Sequence, residues 1–359
     1  MIIRGRAPLR VSFGGGGTDV APFCEEMGGA ILGSTINKFA SCSIVPRNDD
    51  NIIVHSLDFD MTVKYNTKEN YVYNGSLDLV KAALKRMDIK QGCEVYLQCD
   101  APPGSGLGTS STVMVALLKA LSRWKGEELD AYALADMAYE VERIDLGISG
   151  GYQDQYAATF GGFNFIEFHG RNQVVVNPLR IKKDIVHELE SNLLLCYTGN
   201  IHVSANIIDD QVKNYKDKNV DALKAMSEVK ALAYAMKDEL LKGNLHSFGK
   251  LLDYGWKSKK RMSNKITNPQ IDELYDTAIK AGALGGKLLG AGGGGYLLMY
   301  CPYNIRHIVA QKMEAAGGQL ADWNFEFRGS QAWKMDEKRW NYDKVEVSIP
   351  DGKYTFDIK

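Results

Sequence analysis

A segment rich in glycine and hydroxyl residues, 100–111, carries the clearest chemical signal in the chain. It reads Asp-Ala-Pro-Pro-Gly-Ser-Gly-Leu-Gly-Thr-Ser-Ser, and it lies between a strand-like run at 93–99 and an apolar run of helical spacing at 112–124. Glycine lets the backbone approach an anion closely, and the start of a helix offers unpaired N–H groups at the positive end of its dipole. The segment therefore predicts a phosphate-binding loop, in which the hydroxyls of residues 109–111 cap the helix or hold Mg²⁺.

Two common phosphate-binding motifs do not describe this loop. No Gly-Lys-Ser/Thr closes it as in a Walker A loop, and its glycine spacing differs from that of the dinucleotide fingerprint. A glycine turn followed by a Ser/Thr helix cap is the alternative interpretation, which the glycines alone leave open. The dense run Gly-Leu-Gly-Thr-Ser-Ser favours a ligand-binding loop over that alternative.

Arg10 and Asp19 flank a run of four glycines, Gly14–Gly17, near the start of the chain. The simplest interpretation of this segment is a salt bridge and a helix cap. A glycine turn also frees the backbone and leaves room for a polyol, and an aspartate beside it can accept hydrogen bonds from two hydroxyls. The segment is therefore a candidate sugar site.

Two later segments carry further groups with chemical potential. Glu142 and Asp154 stand on either side of a helix end and a glycine pair, and a charged helix end is the simpler interpretation of the two acids. The run 285–295, Gly-Gly-Lys-Leu-Leu-Gly-Ala-Gly-Gly-Gly-Gly, is either a tight turn or a set of backbone N–H groups that closes over a phosphate. Taken alone, neither segment decides between its two interpretations.

Length, charge and composition exclude several classes of protein. A chain of 359 residues is long enough for two domains, and 45% apolar and 24% charged residues are ordinary for a soluble globular protein. A net charge of −1 argues against nucleic acid or an anionic membrane as the main partner. No apolar run has membrane-spanning length, and the N-terminus does not have the pattern of a signal peptide. The six cysteines and six histidines show no metal-ligand spacing, so we expect reduced thiols in a cytoplasmic protein without a zinc site.

The order of the predicted elements indicates an α+β fold, because strands and helices do not alternate strictly. Strands are predicted at 2–13, 28–46, 51–65, 93–99, 162–168, 173–176, 193–197, 284–289, 296–300 and 321–327. Helices are predicted at 18–27, 76–87 with Ser76 as a cap, 112–124, 129–143, 149–160 and 304–316, and in several pieces over 203–282. Mainly helical segments follow residues 180–192, where we place a domain boundary.

The loop at 100–111 resembles the signature Pro-x-x-x-Gly-Leu-Gly-Ser-Ser of the GHMP kinases, a superfamily that includes galactokinase, homoserine kinase and mevalonate kinase. The segment from Arg10 to Asp19 and the run 285–295 resemble two further segments of that family, in the same order along the chain. The resemblance implies the two-domain GHMP kinase fold. Its ATP-binding N-terminal domain, similar to domain 2 of ribosomal protein S5, would span residues 1–185, and a ferredoxin-like C-terminal domain would span residues 186–359.

The same resemblance implies an ATP-dependent, Mg²⁺-using sugar kinase and gives roles to individual residues. Asp154 would accept the proton of the attacking hydroxyl, and Arg10 would keep that carboxylate ionised and offset phosphoryl charge. Ser110 and Glu142 would hold Mg²⁺. The ATP phosphates would contact the loop residues Pro103, Gly104, Ser105, Gly106, Leu107, Gly108, Thr109, Ser110 and Ser111. The sugar would contact Asp19, Gly16, Gly17, Thr18, Gly151, Gly292 and Gly293.

Finer features of the resemblance concern the identity of the sugar. Galactokinase carries Glu-His where this chain has Gly16 and Gly17, and this difference argues against galactose. The glycine-rich form of this segment is similar to that of both the fucokinases and the bacterial heptose phosphate kinases. Over its whole length the chain most resembles the bacterial D-glycero-D-manno-heptose 7-phosphate kinases. These enzymes phosphorylate the anomeric C1 hydroxyl to give the 1,7-bisphosphate, on the route to GDP-heptose and surface glycans. A second phosphate on the substrate needs cations, and the candidates are Lys257, Lys260 and Arg261, with Arg180, Lys182 and Lys183 as rivals.

Three alternatives stand beside a heptose phosphate kinase. A fucokinase-like enzyme that acts on an unphosphorylated sugar shares much of the same sequence. A non-catalytic sensor of sugar and ATP would lack catalytic residues, whereas Arg10, Ser110, Glu142 and Asp154 are all present. A structural α+β protein with glycine turns would bind no nucleotide. We expect a small-molecule sugar phosphate as the partner, no nucleic acid or membrane, and a monomer or homodimer.

Overall fold

The computed structural model describes residues 1–75, 77–170, 173–199, 204–336 and 344–357. The predicted cap Ser76 and the start of the helical region at 203 lie outside these ranges. Among the described residues, no helix is both long and apolar enough to cross a membrane. The mixture of sheets and helices confirms the α+β fold class.

A large, mostly antiparallel sheet forms the first layer, with nine strands among the described residues. Six of its strands lie in the order β13-β1-β2-β5-β3-β4, where β13 is Gln331–Met335. The N-terminal half of the long strand β2 also pairs with β6 and with β12 (Phe325–Glu326), and β7 pairs with β6. The β3–β5 pair is parallel. The strands of the first part of the chain are β1 (Ile2–Gly14), β2 (Gly29–Pro46), β3 (Asn51–Ser56), β4 (Met61–Asn66), β5 (Cys93–Cys99), β6 (Phe163–Phe168) and β7 (Val174–Pro178).

Helices cover this sheet, and the central one begins at the glycine-rich loop. This helix, α3 (Thr109–Lys125), packs so closely on β1 that a Cβ on Gly5 would collide with the backbone of Ala116. Overpacking of this kind is destabilising, so only glycine fits the contact. The neighbouring helices are α1 (Phe23–Glu26), α2 (Asp78–Arg86), α4 (Ala131–Glu140), which continues into a π-helical turn at Val141–Asp145, and α5 (Gln153–Phe160).

A smaller antiparallel sheet of order β11-β8-β10-β9 forms the second layer. Its strands are β8 (Leu193–Tyr197), β9 (Gly285–Leu288), β10 (Tyr296–Tyr300) and β11 (Gln319–Leu320). The helices of this part are α6 (Lys183–Asn192), α7 (Ser204–Lys216), α8 (Val220–Lys242), α9 (Leu245–Lys260), α10 (Pro269–Lys280) and α11 (Arg306–Ala315).

Strand β1 lies between the two layers and packs against helices of both. Its residues alternate between buried and half-buried up to Ala7 and are all buried beyond it, because α3 and α5 cover one side and α8 and α9 contact the other. A shared core holds the layers together, with the ring of Phe13 5.4 Å from that of Phe248 on α9. Residues on the second half of β1 therefore face either the helices of the first layer or the helices of the second.

The chain returns to the first sheet near its end. Strand β12 (Phe325–Glu326) pairs with β2, and β13 (Gln331–Met335) pairs with β1. A separate hairpin, β14 (Lys344–Ile349) and β15 (Gly352–Asp357), follows. The C-terminal part of the chain thus contributes strands to both layers, and the division into 1–185 and 186–359 stays a prediction.

Several predicted elements differ from the structure for local reasons. The strand predicted at 51–65 is the hairpin β3–β4, which turns at Asp60 with a left-handed φ of 47°. The helix predicted at 18–27 shrinks to α1, because the Asp19 carboxylate accepts hydrogen bonds from Gly17 and from Gln153 at the start of α5, and does not cap a helix of its own segment. The strand predicted at 321–327 is only the two-residue strand β12.

Candidate active site

The glycine-rich loop has the geometry of an anion site. Gly104, Gly106 and Gly108 have φ values of 74°, 81° and 77°, which residues with a side chain rarely adopt. Helix α3 starts directly after Gly108, and no side chain caps it, so the predicted capping by residues 109–111 is wrong. The first N–H groups of a helix have no partner within the helix. In this structure they lie at the end of the glycine loop, where an anion can accept from them.

The hydroxyls after the loop connect to a buried carboxylate instead. Ser110 Oγ donates to Glu142 Oε1 over 3.1 Å. Gln155 Nε2 donates to the other oxygen of Glu142 and, over 3.1 Å, to Ser111 Oγ. Glu142 is fully buried in the π-helical turn, and the guanidinium of Arg143 is 4.0 Å away. The structure thus places the predicted metal-binding pair, Ser110 and Glu142, in direct contact.

The other acids of this helix end face elsewhere. Glu140 and Asp145 both accept hydrogen bonds from Arg86 on α2, at 2.8 and 2.9 Å. Glu142 is buried whereas these two acids are partly exposed, although Asp145 shares the π-helical turn with Glu142. Such turns are frequent at functional sites.

Arg10 on β1 links the glycine loop to Asp154. Its Nε and Nη2 donate to Asp154 Oδ1 over 2.8 and 2.7 Å, and its Nη1 donates to the carbonyl of Gly106. The Arg10 side chain is 6% exposed and that of Asp154 is 24% exposed. A Cβ on Gly108 would lie 3.1 Å from Asp154 Cγ, so this carboxylate rests against the loop. The loop and Asp154 are therefore adjacent, as expected from the sequence.

Asp19 lines the same cleft as Asp154 and stands at the end of the glycine turn. Its oxygens accept from the backbone N–H groups of Gly17 and Gln153, each over 3.1 Å. Burial raises the pKa of Asp19, the Gln153 N–H opposes this rise, and the charge of Asp154 adds to it. Gly151 packs on the Asp19 carboxylate so closely that a Cβ would collide with it.

A cleft lies between Asp154 and Asp19. Gly16, Gly17 and Gly151 line it, as expected from the sequence. Thr18 does not, because its hydroxyl is fully buried and bonds to the backbone of Ala30.

The third glycine segment reaches the cleft through different residues than expected. Gly293 uses its N–H to bond the carbonyl of Ile266 over 2.8 Å, and a Cβ on Gly292 would lie 2.7 Å from the Cα of the same residue. Gly292 and Gly293 therefore face α10 and the segment before it. Gly290 and Ala291 line the cleft in their place.

Two buried lysines complete the cleft, and sequence reasoning missed both as site residues. Lys259 on α9 donates to the carbonyl of Gly290, and Lys287 lies in the buried strand β9. Burial is the main cause that lowers the pKa of Lys259 to about 8, and the positive charge of Arg10 contributes. Burial is also the main cause that lowers the pKa of Lys287 well below its ordinary value, and the positive charges of Lys259 and Arg10 contribute.

The cations proposed from the sequence lie on the surface. Lys257 pairs with Asp253 and is 67% exposed. Lys260 pairs with Asp272, and Arg261 pairs with Glu228. The signal for Lys259 was present in the sequence, because it continues the buried stripe of α9 formed by Phe248, Leu252 and Trp256.

A second, larger pocket opens beside the loop. Its wall is mainly apolar and includes Phe59, Met61, Tyr73, Leu79, Val113 and Ile148. Pro103, Gly104, Thr109 and Ser110 form its edge. An apolar pocket that opens onto an anion loop suits a molecule with a flat base and a phosphate chain. No sequence motif indicated this pocket, because its residues come from separate strands, loops and helices.

Comparison with known proteins agrees with this arrangement. The profile of the GHMP kinases N terminal domain matches residues 70–162, and that of the GHMP kinases C terminal region matches residues 236–318. A D-glycero-alpha-D-manno-heptose 7-phosphate kinase of Campylobacter jejuni is 37% identical over 93% of this chain and 99% of its own length. The chain belongs to the GHMP kinase family.

Two further relatives place this GHMP kinase among sugar kinases. A solved structure described as a D-glycero-D-manno-heptose 1-phosphate kinase from Bacteroides thetaiotaomicron has a TM-score of 0.79 and 34% identity. The match covers 93% of this GHMP kinase and 99% of that structure. An L-fucokinase/L-fucose-1-P guanylyltransferase of Bacteroides fragilis is 28% identical over 83% of this chain and 34% of its own length. The protein is a phosphotransferase of the sugar kinase type, and family membership implies that it uses ATP.

We predict that Arg10→Lys lowers kcat of this GHMP kinase about 10- to 100-fold, because lysine cannot bond Asp154 and the Gly106 carbonyl together. Steady-state kinetics on ATP and the preferred sugar measure the effect. Arg6→Lys is the matched control, since Arg6 lies four residues away on β1 and bonds Gln331 instead. A kcat of Arg10→Lys equal to that of Arg6→Lys would contradict this prediction.

Proposed function

We propose that this GHMP kinase transfers the γ-phosphoryl group of ATP to the anomeric C1 hydroxyl of D-glycero-D-manno-heptose 7-phosphate and produces the 1,7-bisphosphate. The observation that carries the proposal is the position of Asp154, which contacts the anion loop on one side and lines a polar, cation-bearing cleft on the other. Such a bisphosphate would feed the synthesis of GDP-heptose for surface glycans. We place the reaction in the cytoplasm, in line with six free cysteines.

The donor half of the reaction is assigned to the glycine loop and the apolar pocket. The base of ATP would lie in the apolar pocket, whose lining includes Tyr73 and Val113. The β- and γ-phosphates would accept hydrogen bonds from the N–H groups at the start of α3. The loop residues 103–111 would hold this chain of phosphates in line with the cleft. Leu107 and Ser111 support the loop from inside, since both side chains are buried.

The residues around Glu142 fit a magnesium ion. Glu142 is a fully buried carboxylate whose close hydrogen-bond donors, Ser110 and Gln155, are neutral, and the Oε1 atom of Gln155 is buried without a partner among the described residues. Mg²⁺ prefers oxygen ligands and is held in kinases by one or two carboxylates together with substrate phosphates. Ser110 and Glu142 would hold it, and the ion would neutralise charge on the transferring phosphates.

The acceptor half is assigned to Asp154, Arg10 and Asp19. The sugar hydroxyl would give its proton to Asp154 as its oxygen forms the new bond to Pγ, and the bond from Pγ to the β-bridging oxygen would break to release ADP. Arg10 would hold Asp154 in place by its two bonds to Oδ1 and offset charge on the phosphoryl group. Asp19 would orient the ring by accepting bonds from its hydroxyls.

The choice of a phosphorylated heptose has two supports. The relatives named as heptose phosphate kinases match this chain over nearly their whole length. The cleft also carries two lysines besides Arg10, which suits an anionic sugar better than a neutral one. The fucokinase match is weaker in identity and covers only part of that longer protein.

A panel of sugars tests the substrate directly. With ATP and Mg²⁺, we expect the highest kcat/KM on D-glycero-D-manno-heptose 7-phosphate, at least about tenfold above the unphosphorylated heptose, L-fucose and D-galactose. Release of ADP in a coupled assay measures turnover, and phosphorus NMR of the product locates the new phosphate on C1. Preference for L-fucose, or a phosphate on another carbon, would contradict the proposal.

We predict that Ser110→Ala raises the Mg²⁺ concentration needed for half-maximal activity at least about tenfold, because it removes one of two protein oxygens of the metal site. Titration of Mg²⁺ at saturating sugar measures this change. Ser227→Ala, which removes an exposed hydroxyl of α8 that lines neither pocket, is the control. An unchanged magnesium requirement in Ser110→Ala would remove Ser110 from the metal site.

A further inference from the structure

Three donor groups converge on one point beside the glycine turn. A Cβ built on Gly16 would lie 3.6 Å from Ser12 Oγ, 3.7 Å from Lys259 Nζ and 3.8 Å from Lys287 Nζ. The three groups come from β1, α9 and β9, so only the folded chain brings them together. All three side chains are at least nine-tenths buried, and all line the same cleft.

These donors have hydrogen-bonding capacity that the protein does not use. Ser12 Oγ is buried without a partner among the described residues. Within the same ranges, the Lys287 ammonium has no hydrogen bond or ion pair, and Lys259 donates only to the carbonyl of Gly290. A buried hydroxyl and two buried ammonium groups without counter-charges are costly to maintain. An anion with several oxygen acceptors would satisfy all three groups at once.

The acids of the cleft are already engaged and do not neutralise the lysines. Asp154 is bonded to Arg10, and Asp19 accepts from two backbone N–H groups. Counting Arg10, Lys259 and Lys287 against Asp19 and Asp154, the formal charge of the cleft with both lysines protonated is positive. An anionic group of the substrate would balance it.

We propose that Ser12, Lys259 and Lys287 form a subsite that binds the phosphate ester carried by the sugar substrate itself, separate from the loop that holds the phosphates of ATP. This inference rests on the proposed sugar kinase function and deepens it. The loop delivers the transferred phosphoryl group at the side where Gly108 meets Asp154. The subsite lies beside Gly16, toward α9 and β9, so one sugar can present its C1 hydroxyl to Asp154 and its own phosphate to the lysines.

Binding of a phosphosugar should change the protonation of the two lysines. Burial and the neighbouring charge of Arg10 favour the neutral amines, whereas Asp19 opposes this effect. A bound phosphate favours the ammonium form, so a phosphosugar takes up protons when it binds at a pH near or above the pKa of about 8 of Lys259.

Paired kinetics test the subsite. In Lys259→Met and Lys287→Met, we expect the ratio of kcat/KM for heptose 7-phosphate to that for unphosphorylated heptose to fall about 10- to 100-fold, with the KM for ATP unchanged. Lys257→Met, on the exposed face of α9, is the matched control and should keep the wild-type ratio. If both substrates lose kcat by the same factor, the lysines serve the transferred phosphoryl group and the proposal is overturned.

Gly16→Ala provides a variant that should fold normally. Its Cβ would make only ordinary contacts at 3.6–3.8 Å, yet it would occupy the point on which the three donors converge. We expect an unchanged thermal unfolding temperature and the same loss of phosphosugar preference. A normally folded Gly16→Ala with the wild-type ratio would contradict the subsite.

Equilibrium binding separates this inference from the proposed function. Calorimetry with D-mannose 6-phosphate and D-mannose as probes requires no turnover. The subsite predicts that the wild-type protein prefers the phosphorylated probe, with proton uptake at pH 8, and that Lys259→Met/Lys287→Met removes the preference. If turnover on heptose 7-phosphate fails but this preference persists, only the proposed function is wrong. If turnover succeeds but the double variant keeps the preference, only the subsite is wrong.

Discussion

The bonds of one guanidinium connect the parts of the candidate active site. Arg10 bonds Asp154 through Nε and Nη2 and the carbonyl of Gly106 through Nη1, so it fixes the candidate base relative to the phosphate loop. The pair can lie so deep because β1 is buried on both sides beyond Ala7. Because the surroundings have a low dielectric constant, the attraction between the two charges is strong and keeps both side chains in place. Loss of either partner would leave an unpaired buried charge.

Close contacts between glycines bring the two layers together around that pair. Gly106 and Gly290 approach so closely that a side chain on either would meet the backbone of the other segment, and Tyr296 donates its N–H to the carbonyl of Ser105. The second layer therefore docks directly on the phosphate loop. This contact also brings Lys259 and Lys287 into the cleft, since one bonds Gly290 and the other lies in the strand just before it. A cleft built in this way is lined by the carboxylate of Asp154, the candidate base, and by the cations Lys259 and Lys287.

The parts of the site that short motifs or the family resemblance describe could be predicted from the sequence. The loop at 100–111 and the placement of Arg10 near Asp154 followed from motif spacing and family resemblance. The contact of Ser110 with Glu142 is of the same kind, because each residue sits at the end of a helix whose position the motif fixes. The glycine turn beside Asp19 also lines the cleft as expected.

The parts that depend on tertiary packing could not be predicted in the same way. The dense positive charge of the run 257–261 favours Lys257, Lys260 and Arg261 as phosphate-binding cations. In the structure these side chains are partly exposed and pair with acids of neighbouring segments. Only helical periodicity shows that Lys259 faces inward. Similarly, four consecutive glycines do not reveal which of them meet the cleft, because Gly293 bonds Ile266 and turns away. The apolar pocket beside the loop is assembled from segments far apart in sequence, so no motif could indicate it.

We infer that Asp154 takes the proton of the attacking hydroxyl where the glycine loop meets the cleft. Rapid-quench measurement of a single turnover by Asp154→Asn, with binding of ATP and sugar measured separately, tests it most directly. Asparagine keeps the shape of the side chain but is a far weaker base, so the account predicts that both ligands still bind while phosphoryl transfer slows about 10²- to 10⁴-fold. Phosphoryl transfer at close to the wild-type rate in a variant that binds both ligands would contradict it.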